Sequence, residues 1–438
     1  MCHSFLFIIS SNEQSIGPPC AVSLHNDYGM LKRIFQNRNL TLLWAGQMAS
    51  QSGDSVFQIG LLWLTLELSG SESVTGLVAM SSYLPAVLLA LLAGVVADRS
   101  NRRRIMLASD GLRALLIMLI PIAALSGALS PWLLAAVAFT LAIAATFFNP
   151  ARDSLIPQIV APDGLMRANS LIQTSWQFSL LIGPAMAGLL LHLVGNVHLF
   201  TADAALYLLS FVAVFLIRLQ PALPATQHSN DGASGRIAGG WSQIHDGLGY
   251  VTRQPVILPL LLLTVADNIF IMGPAIVGTP VFVRQELGLG AEAYALVQAC
   301  LGIGMLLGTA ALLGLGGRFN KGKVLLVGMV LDGITFIPLF WANSLAAMEA
   351  TIILHSLAIP LITVSRAALI QSIVPAQYTG RVFALVNMAV VGMSAVSAGL
   401  AGVALDWWGA RWVFLVIGAA GGICGMVGWV LAKDLKSA

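Results

Sequence analysis

A stripe of polar side chains runs along one predicted helix near the start of the chain. Its members recur at i, i+4, i+7 and i+11, and they are Gln47, Gln51, Asp54 and Gln58. This spacing places them on one face of a helix whose other faces are apolar. At about 1.5 Å per residue from the helix start, Asp54 would lie near the middle of a membrane. The stripe must then face protein or a water-filled passage.

A second acid, Asp267, lies at a comparable depth in a predicted helix of the second half of the chain. An ionised aspartate at the centre of a bilayer costs about 2.5–3.5 kcal/mol on insertion scales. A carboxyl group taken out of water also binds a proton more readily. Asp54 and Asp267 are therefore candidates for proton binding. The alternative for each is a structural hydrogen bond to a neighbouring helix.

Uncharged polar and aromatic side chains near these acids are candidates for contacts with a substrate. Besides the three glutamines of the stripe, they are Trp176, Gln177 and Phe270. Rings and amides together suit an apolar or amphiphilic small molecule. We expect the first, fourth, fifth, seventh, eighth, tenth and eleventh helices to line a central cavity for such a compound.

One predicted span contains residues suited to close packing and bending. Gly183 and Gly188 are small enough to let helices approach each other closely. Pro184 removes one backbone hydrogen bond and so permits a bend. The alternative is close packing with no role in transport.

Four charged residues are candidates for ion pairs near the cytoplasmic ends of the helices. Asp110 and Arg113 are three residues apart, so they can pair on one helix. Arg152 and Arg366 stand at corresponding places in the two halves of the chain.

One string has the spacing of an ATP-binding loop but lacks its chemistry. Gly317, Gly322 and Lys323 match the spacing, yet Val324 stands where a magnesium-binding serine or threonine is required. The string also follows an apolar span rather than a strand. The sequence contains no metal-ligand spacing of His and Cys and no nucleophile motif. We therefore predict no enzyme activity, no metal site, no cofactor and no nucleic-acid partner.

The elements that must position these residues are membrane-spanning helices. Of the 438 residues, 58% are hydrophobic and 9% are charged, whereas soluble proteins carry about 25% charged residues. The mean hydropathy is +0.86. The apolar runs are long and lack the alternation of a β-barrel. We predict an all-α membrane protein, and at about 20 residues per span about ten to twelve helices fit.

Basic residues mark one side of the membrane. They cluster in alternate loops, at 32–38, 99–104, 152–167, 218–253, 318–323, 366–381 and 433–436. Lys and Arg stay on the cytoplasmic side during insertion. Both termini are therefore predicted to be cytoplasmic, and the number of spans must be even. Twelve spans in a bacterial inner membrane satisfy these conditions.

The spans are predicted to form two repeated halves. The expected units are a disordered tail (1–39), a six-helix bundle (40–218), a cytoplasmic linker with an amphipathic segment (219–255), a second six-helix bundle (256–432) and a cytoplasmic tail (433–438). Matches between the halves recur in chain order at shifts of 213 to 222 residues, as from Arg152 to Arg366. Such repetition is typical of transporters built from parallel repeats.

The loop between the second and third predicted spans carries a family signature. Residues 94–105 resemble the G-x-L-A-D-R-x-G-R-R-x-[LI] signature of the major facilitator superfamily. Val96 replaces the usual leucine and Asn101 the second glycine, and asparagine tolerates the left-handed backbone that glycine supplies. Residues 43–54 and 150–169 are similar to the macrolide-efflux and enterobactin-exporter branch. The resemblance covers about residues 30 to 435.

The resemblance implies a fold, a gate and an activity. The fold is twelve helices in two pseudo-symmetric bundles. The gate is the charged loop, with the signature residues Gly94, Asp98, Arg99, Arg102 and Arg103. The glycine–proline segment of the fifth span partly resembles the signature of proton-driven antiporters.

The implied activity is export of a small amphiphilic compound, such as a drug, a macrolide or a siderophore-like molecule, driven by the proton gradient. The expected partners are that substrate, protons and the lipid bilayer, and the protein is expected to be monomeric. A lysophospholipid flippase and a facilitative importer are the alternatives on the same fold.

Overall fold

The structure is a computed structural model that describes residues 37–161, 164–218, 246–314 and 320–438, apart from the side chains of Leu91 and Asp98. Most of the predicted tail and linker, together with Gly317, lies outside the described residues. Within the described ranges the chain is helical and has no strand. This confirms the all-α class, while the domain boundaries stay a prediction.

The described chain consists of long helices, with one short helix at 246–251 between the halves and another at the end. The first half contains α1 (Arg38–Ser69), α2 (Glu72–Ser81 continued by Leu84–Arg99), α3 (Arg102–Leu125), α4 (Pro131–Ile159), α5 (165–194) and α6 (196–216). The second half contains α7 (Ile257–Glu286), α8 (Ala291–Gly314), α9 (Lys321–Trp341), α10 (Leu345–Ile373), α11 (376–408), α12 (410–431) and α13 (Lys433–Ser437).

Single glycines divide the two longest helical stretches. Gly195 has φ 76° within Leu165–Leu216, and Gly409 has φ 73° within Ala376–Leu431. Side chains disfavour this left-handed region, so glycine permits the break. In the described part, nine uninterrupted stretches have the length and hydropathy of a membrane span. Dividing the two longest stretches at these glycines gives eleven, and α1 is a further long helix, so the predicted number of twelve spans stays a prediction.

Asparagine and serine side chains fix where several helices begin. The residues whose side chains accept a backbone N–H of the first turn are Asn37, Ser71, Asn101, Ser130, Asn320 and Ser344. The sequence predicts that the fourth span covers 130–149, and its end is wrong because α4 extends to Ile159. Pro150 and Pro157 lie inside this helix, and neighbouring membrane helices tolerate such prolines.

In the first half, α1 lies between α5 and α6. It runs parallel to α5. Ser175 Oγ of α5 donates to Gln51 Oε1 of α1, and further along both helices a side chain at Gly183 would meet Ser55. Helix α1 runs antiparallel to α6, because Gly46 adjoins the end of α6 and Gly60 adjoins its start. The chain therefore reverses direction at Gly195.

The second half repeats the pairing of first and fifth helices. Ser397 Oγ of α11 donates to the Ile269 carbonyl of α7 at 2.6 Å, and the backbone N–H of Gly273 donates to Ser397 Oγ at 2.7 Å. These contacts are the counterpart of those between α1 and α5. The packing thus agrees with the duplication that the sequence predicts.

The two halves touch at the end of the molecule that holds the α1–α2 junction. We name this the opposite end, and we name the end that holds Arg38 and the α2–α3 junction the basic end. A Cβ on Gly76 of α2 would lie 2.6 Å from the Ala398 carbonyl of α11. A Cβ on Gly402 of α11 would lie 2.6 Å from the Glu72 carbonyl. Backbone contact of this kind closes the opposite end.

A carboxylate from the second half caps a helix of the first half at the opposite end. Asp406 accepts the backbone N–H groups of Glu72 at 3.0 Å and Ser73 at 3.1 Å, and it also accepts the Ser73 hydroxyl. Gln285 donates to the Glu72 carboxylate. The N-terminus of α2 is thus held by residues of α7 and α11.

Candidate functional site

A cavity of 420 Å³ lies between the two halves, beside the middle of α1. Its walls come from α1, α2 and α5 of the first half and from α8 of the second. Its polar and aromatic lining includes Gln51, Asp54, Gln58, Tyr83, Trp176 and Gln298. The expected set of helices was wrong in part, since α2 lines the cavity, whereas no described residue of α4, α7, α10 or α11 does.

Asp54 faces this cavity from the middle of α1. Its side chain is exposed, and Tyr207 Oη of α6 donates to Asp54 Oδ1 at 2.5 Å. Tyr207 itself is buried. The Asp54 carboxylate is therefore accessible from the cavity and is anchored to α6 by the Tyr207 hydroxyl.

Buried charges lie behind Tyr207. The Arg113 guanidinium of α3 lies 5.4 Å from the centre of the Tyr207 ring, and its Nη1 lies 3.9 Å from Asp110 Oδ1. Asp203 of α6 is fully buried, and neither of its carboxylate oxygens has a hydrogen-bond partner among the described residues. Arg113 interacts electrostatically with Asp54, Asp110 and Asp203. The cluster therefore places one arginine among three acids.

The close approach of Asp203 to α1 depends on a residue without a side chain. A Cβ on Gly53 would lie 2.6 Å from Asp203 Oδ1. Gly53 directly precedes Asp54 in α1. The Asp203 carboxylate of α6 therefore contacts α1 at the residue next to Asp54. This places a buried acid next to the acid that faces the cavity.

The polar stripe of α1 continues from the cavity toward the basic end. Ser175 Oγ donates to Gln51 Oε1 at 2.9 Å, and Gln51 Nε2 donates to Gln47 Oε1 at 3.3 Å. Arg152 Nη1 donates to the same Gln47 oxygen at 2.9 Å and also pairs with Asp153. Gln47 is buried and lies outside the cavity wall, which corrects its predicted placement. Gln51 and Gln58 line the cavity, as the stripe predicts.

Asp267 lies apart from this cavity. It is 7% exposed, and its Oδ1 has no hydrogen-bond partner in the part of the chain that the structure describes. The charged groups that act on it are Arg366 of α10 and Asp332 of α9. The structure therefore corrects the expectation that both acids face one cavity. Helices of the second half enclose Asp267, whereas Asp54 lies at the boundary between the halves.

Of the three aromatic and amide candidates outside α1, one lines the cavity and two lie outside its wall. Trp176 is 45% exposed and lines the cavity. Gln177 follows it on α5 and is turned about 100° around the helix, and it does not contribute to the cavity wall. Phe270 of α7 is exposed but also lies outside that wall.

Arg103 of the loop signature joins the start of α3 to the end of α6. Its Nε donates to the Val214 carbonyl at 3.1 Å, and its Nη2 donates to the Phe215 carbonyl. Carbonyl groups at a helix end carry partial negative charge, so an arginine there is favourable. In this conformation Arg103 connects two helices of one half.

The other signature residues lie around the junction of α2 and α3. Gly94 and Arg99 belong to the last turns of α2, and Arg102 begins α3. The side chain of Asp98 lies outside the described part of the structure. The predicted gating role of these residues stays a prediction.

The small residues of α5 bring this helix close to α1 and α8. A Cβ on Gly183 would lie 2.4 Å from Ser55 Cβ, and one on Gly188 would lie 3.4 Å from Ala295 Cβ of α8. Pro184 lines the cavity between these contacts. The segment thus lies against both halves, in agreement with its predicted packing role.

Sequence reasoning missed three tyrosine and glutamine side chains of the site. Gln298 was detectable as an amide within the otherwise apolar α8. Tyr83 was detectable as a polar residue at the break within α2. Tyr207 has no such signal, because its role arises only from the contact of α6 with α1.

The chemistry available at this site is hydrogen bonding and aromatic contact, with one exposed carboxylate. Across the described ranges, no three side chains of His, Cys, Asp and Glu come together as a metal ion would require. An exposed acid and several amides facing an indole ring suit a compound with polar and apolar parts.

A family model described as transmembrane secretion effector, within the major facilitator superfamily, matches residues 33–432. The chain belongs to this family. It is similar to the uncharacterized MFS-type transporter YfiS of Bacillus subtilis, at 27% identity over 93% of this chain and 97% of that protein. It is also similar to macrolide efflux protein A of Streptococcus pyogenes, at 24% identity over 90% and 97%. Membership confirms the superfamily predicted from the sequence, and the family consists of multi-span membrane transporters.

The fold is that of solved transporters of this superfamily. A crystal structure of nucleoside transporter NupG superimposes with a TM-score of 0.71 at 12% identity, covering 92% of this chain and 99% of that chain. At that identity the similarity establishes the fold alone. It confirms the predicted major facilitator fold.

Proposed function

We propose that this secretion-effector family member is a proton-coupled exporter of small amphiphilic compounds that works by alternating access. The observation that carries the proposal is the position of Asp54, which faces the cavity and is bonded to Tyr207 in front of the buried Arg113 cluster. The name of macrolide efflux protein A supports export as the direction of transport.

The coupling step is a change of charge at Asp54. When ionised, Asp54 accepts the Tyr207 hydroxyl and attracts Arg113. When a proton binds, both interactions weaken, and α1 is less strongly held to α6. A change in helix packing beside the cavity is what alternation between two open states requires.

The proton gradient supplies enough free energy for useful export. Moving one elementary charge through about 100 mV releases about 2.3 kcal/mol. This corresponds to about a fiftyfold concentration ratio. One proton per cycle is therefore sufficient, and no cofactor or ATP is needed.

The expected sidedness of the protein follows from its charge pattern. The arginines and lysines of the basic end support a cytoplasmic location for that end and for both termini, in the inner membrane of a bacterium. We expect the transporter to act as a monomer. The expected substrate is a drug, a macrolide or a siderophore-like molecule.

The test compares Asp54→Asn with the wild type in a bacterium that lacks its own efflux pumps. Cells are loaded with macrolides, siderophores or dyes, and efflux is followed with and without a protonophore. We expect the wild type to export at least one compound in a protonophore-sensitive manner. Asp54→Asn should export the compound about tenfold more slowly, and its export should no longer respond to the protonophore. The reason is that a positioned proton carrier typically makes a large contribution to the rate.

The matched control is Glu292→Gln, which removes an exposed acid at the start of α8, away from the cavity. It should transport like the wild type. Proton-driven export that persists in Asp54→Asn would contradict coupling at this residue. Passive equilibration of substrate by the wild type would indicate a facilitator, and lipid movement in proteoliposomes without drug export would indicate a flippase.

A further inference from the structure

Each half of the molecule has a basic pocket between the start of its third helix and the end of its sixth. In the second half this pocket has a volume of 590 Å³. Lys323 of α9 and Lys433 and Lys436 of α13 line it, together with Trp429 and Val430 of α12. Lys436 Nζ lies 4.3 Å from the centre of the Trp429 ring, which fixes one cation at the wall.

The first half has a pocket of 720 Å³ at the corresponding place. Besides Arg103, which is bound to carbonyl groups at the end of α6, its cations are Arg38 of α1, Arg104 of α3 and Arg218 after α6. Phe215 contributes an aromatic wall. The side chains of Arg38, Arg104 and Arg218 are exposed. Among the described residues that line the two pockets, none is acidic. Two sites of the same charge at equivalent places are unlike a chance surface cluster.

The two pockets share their local construction. Asn101 Oδ1 accepts the backbone N–H of Arg104 at 3.1 Å, and Asn320 Oδ1 accepts that of Lys323 at 2.8 Å. These caps satisfy backbone groups at the helix starts. The cationic side chains, rather than the helix ends, are therefore the groups available to an anion. Asn320 also donates to the Ser437 carbonyl at 2.8 Å, which holds α13 in place.

An apolar groove continues from the pocket of the second half. This groove has a volume of 430 Å³ and runs between α9 and α12. Trp429 and Val430 line both the groove and the basic pocket. The remaining walls, which include Val330 and Met426, are apolar. The combined site therefore has a cationic end and an apolar extension along the outer surface of the helices.

We propose that this combined site binds an anionic phospholipid, with its phosphate at Lys323 and Lys433 and an acyl chain in the groove along α9 and α12. The pocket of the first half binds a second phospholipid phosphate at Arg104 and Arg218. Basic pockets at the ends of membrane helices bind lipid headgroups through this chemistry. A soluble anion would use the cations but not the groove.

The apolar surroundings favour a lipid over a soluble phosphate compound. Val430 is 64% exposed and Phe215 is 59% exposed, and both lie at the outer ends of membrane-spanning helices. Such side chains contact acyl chains in a bilayer. When a lipid headgroup binds the cations, its acyl chains can therefore contact Val430 or Phe215. The site is separate from the cavity at Asp54, and the proposal does not depend on proton coupling.

The test titrates the purified full-length protein in detergent with phosphatidylglycerol and measures binding by native mass spectrometry. The test variant is Lys323→Gln/Lys433→Gln. The control variant is Lys321→Gln/Arg253→Gln, which removes two exposed cations at the same end that do not line the pocket. We expect the test variant to bind phosphatidylglycerol about thirtyfold more weakly, because each cation near a membrane surface contributes about fivefold. The control variant should bind like the wild type.

Two further arms separate the sources of phosphate. Glycerol 3-phosphate supplies the same anion without acyl chains, and Met426→Trp fills the groove while leaving the lysines in place. We expect glycerol 3-phosphate to bind far more weakly than the lipid and Met426→Trp to reduce lipid binding. Equal binding of glycerol 3-phosphate, or equal losses in the test and control variants, would overturn the proposal. Thermal unfolding without lipid verifies that each variant is folded.

Discussion

At the scale of single residues, Tyr207 connects an accessible carboxylate to charges that are buried. Its hydroxyl donates to Asp54, while its ring lies against Arg113. The cluster behind it contains Asp203, whose carboxylate has no hydrogen-bond partner among the described residues. An unpaired buried carboxylate is costly when charged. Tyr207 thus lies between an acid that the cavity reaches and an acid that is buried without a hydrogen-bond partner in the described part.

Tyr207→Phe removes the hydroxyl and retains the ring. This hydroxyl joins α6 to Asp54 of α1, so on the proposed mechanism its loss should lower the rate of proton-driven export. The measurement is the initial rate of transport in proteoliposomes with a fixed pH gradient. Tyr294→Phe is the control, because the Tyr294 hydroxyl is buried with no hydrogen-bond partner in the described part. A rate that falls equally in both variants would contradict the role of the bond.

The sequence predicts the orientation of Asp54 but not its partners. The spacing of the α1 stripe is a local property, so it correctly placed Gln51, Asp54 and Gln58 on one cavity-facing side. Asp267 shares the depth and the repeat position of Asp54, yet neighbouring helices bury it. Burial and the bond from Tyr207 depend on contacts between distant parts of the chain, which periodicity does not encode.

At the scale of helices, α5 and α6 follow each other with a single glycine between them. Gly195 has φ 76°, and a Cβ there would meet no atom within 4 Å. The requirement for glycine is therefore conformational rather than steric. Gly409 repeats this arrangement between α11 and α12.

Gly195→Ala should destabilise the protein by about 1–2 kcal/mol, because alanine is strained in the left-handed region. Gly94→Ala is the matched comparison, since Gly94 also has open space but lies within α2 at an ordinary φ. Alanine there should stabilise the helix by about 0.5–1 kcal/mol. The measurement is thermal unfolding of both variants in the same detergent. Opposite signs are expected, and a common sign would contradict the conformational argument.

Helix existence was predictable from hydropathy, whereas some helix ends were not. Within the described part, long apolar runs account for nine stretches that can span a membrane, and the glycines at 195 and 409 divide the two longest of these. The continuation of α4 through Pro150 to Ile159 was not predictable from local propensity. Proline disfavours a helix in isolation, and packing against neighbouring helices overrides that preference here.

At the scale of the whole molecule, the halves are held together at the opposite end. Asp406 caps the N-terminus of α2, and Gly76 and Gly402 bring α2 and α11 into backbone contact. On the proposed mechanism, this is the closed side in the state that the structure shows. Opening that side requires the cap and the backbone contact to separate.

Asp406→Ala should favour the state in which the opposite end is open. Loss of a helix cap is worth about 1 kcal/mol, which corresponds to about a fivefold change in population. Spin labels on Leu68→Cys and Trp341→Cys, both exposed near that end, would report the change as longer distances in pulsed electron resonance. Glu292→Ala is the control, because it removes an acid near the same end without a role in the cap. An unchanged distance distribution in Asp406→Ala would contradict the role of this cap in closing the opposite end.

On the proposed mechanism, the reversal at Gly195 affects how substrate binding and proton binding are linked. Trp176 on α5 borders the cavity, and Tyr207 on α6 holds Asp54, so two helices joined by the single residue Gly195 carry both. A compound that displaces α5 would therefore pull on the start of α6, with no loop between them to absorb the motion. Substrate and proton would then act on two directly connected helices of the first half.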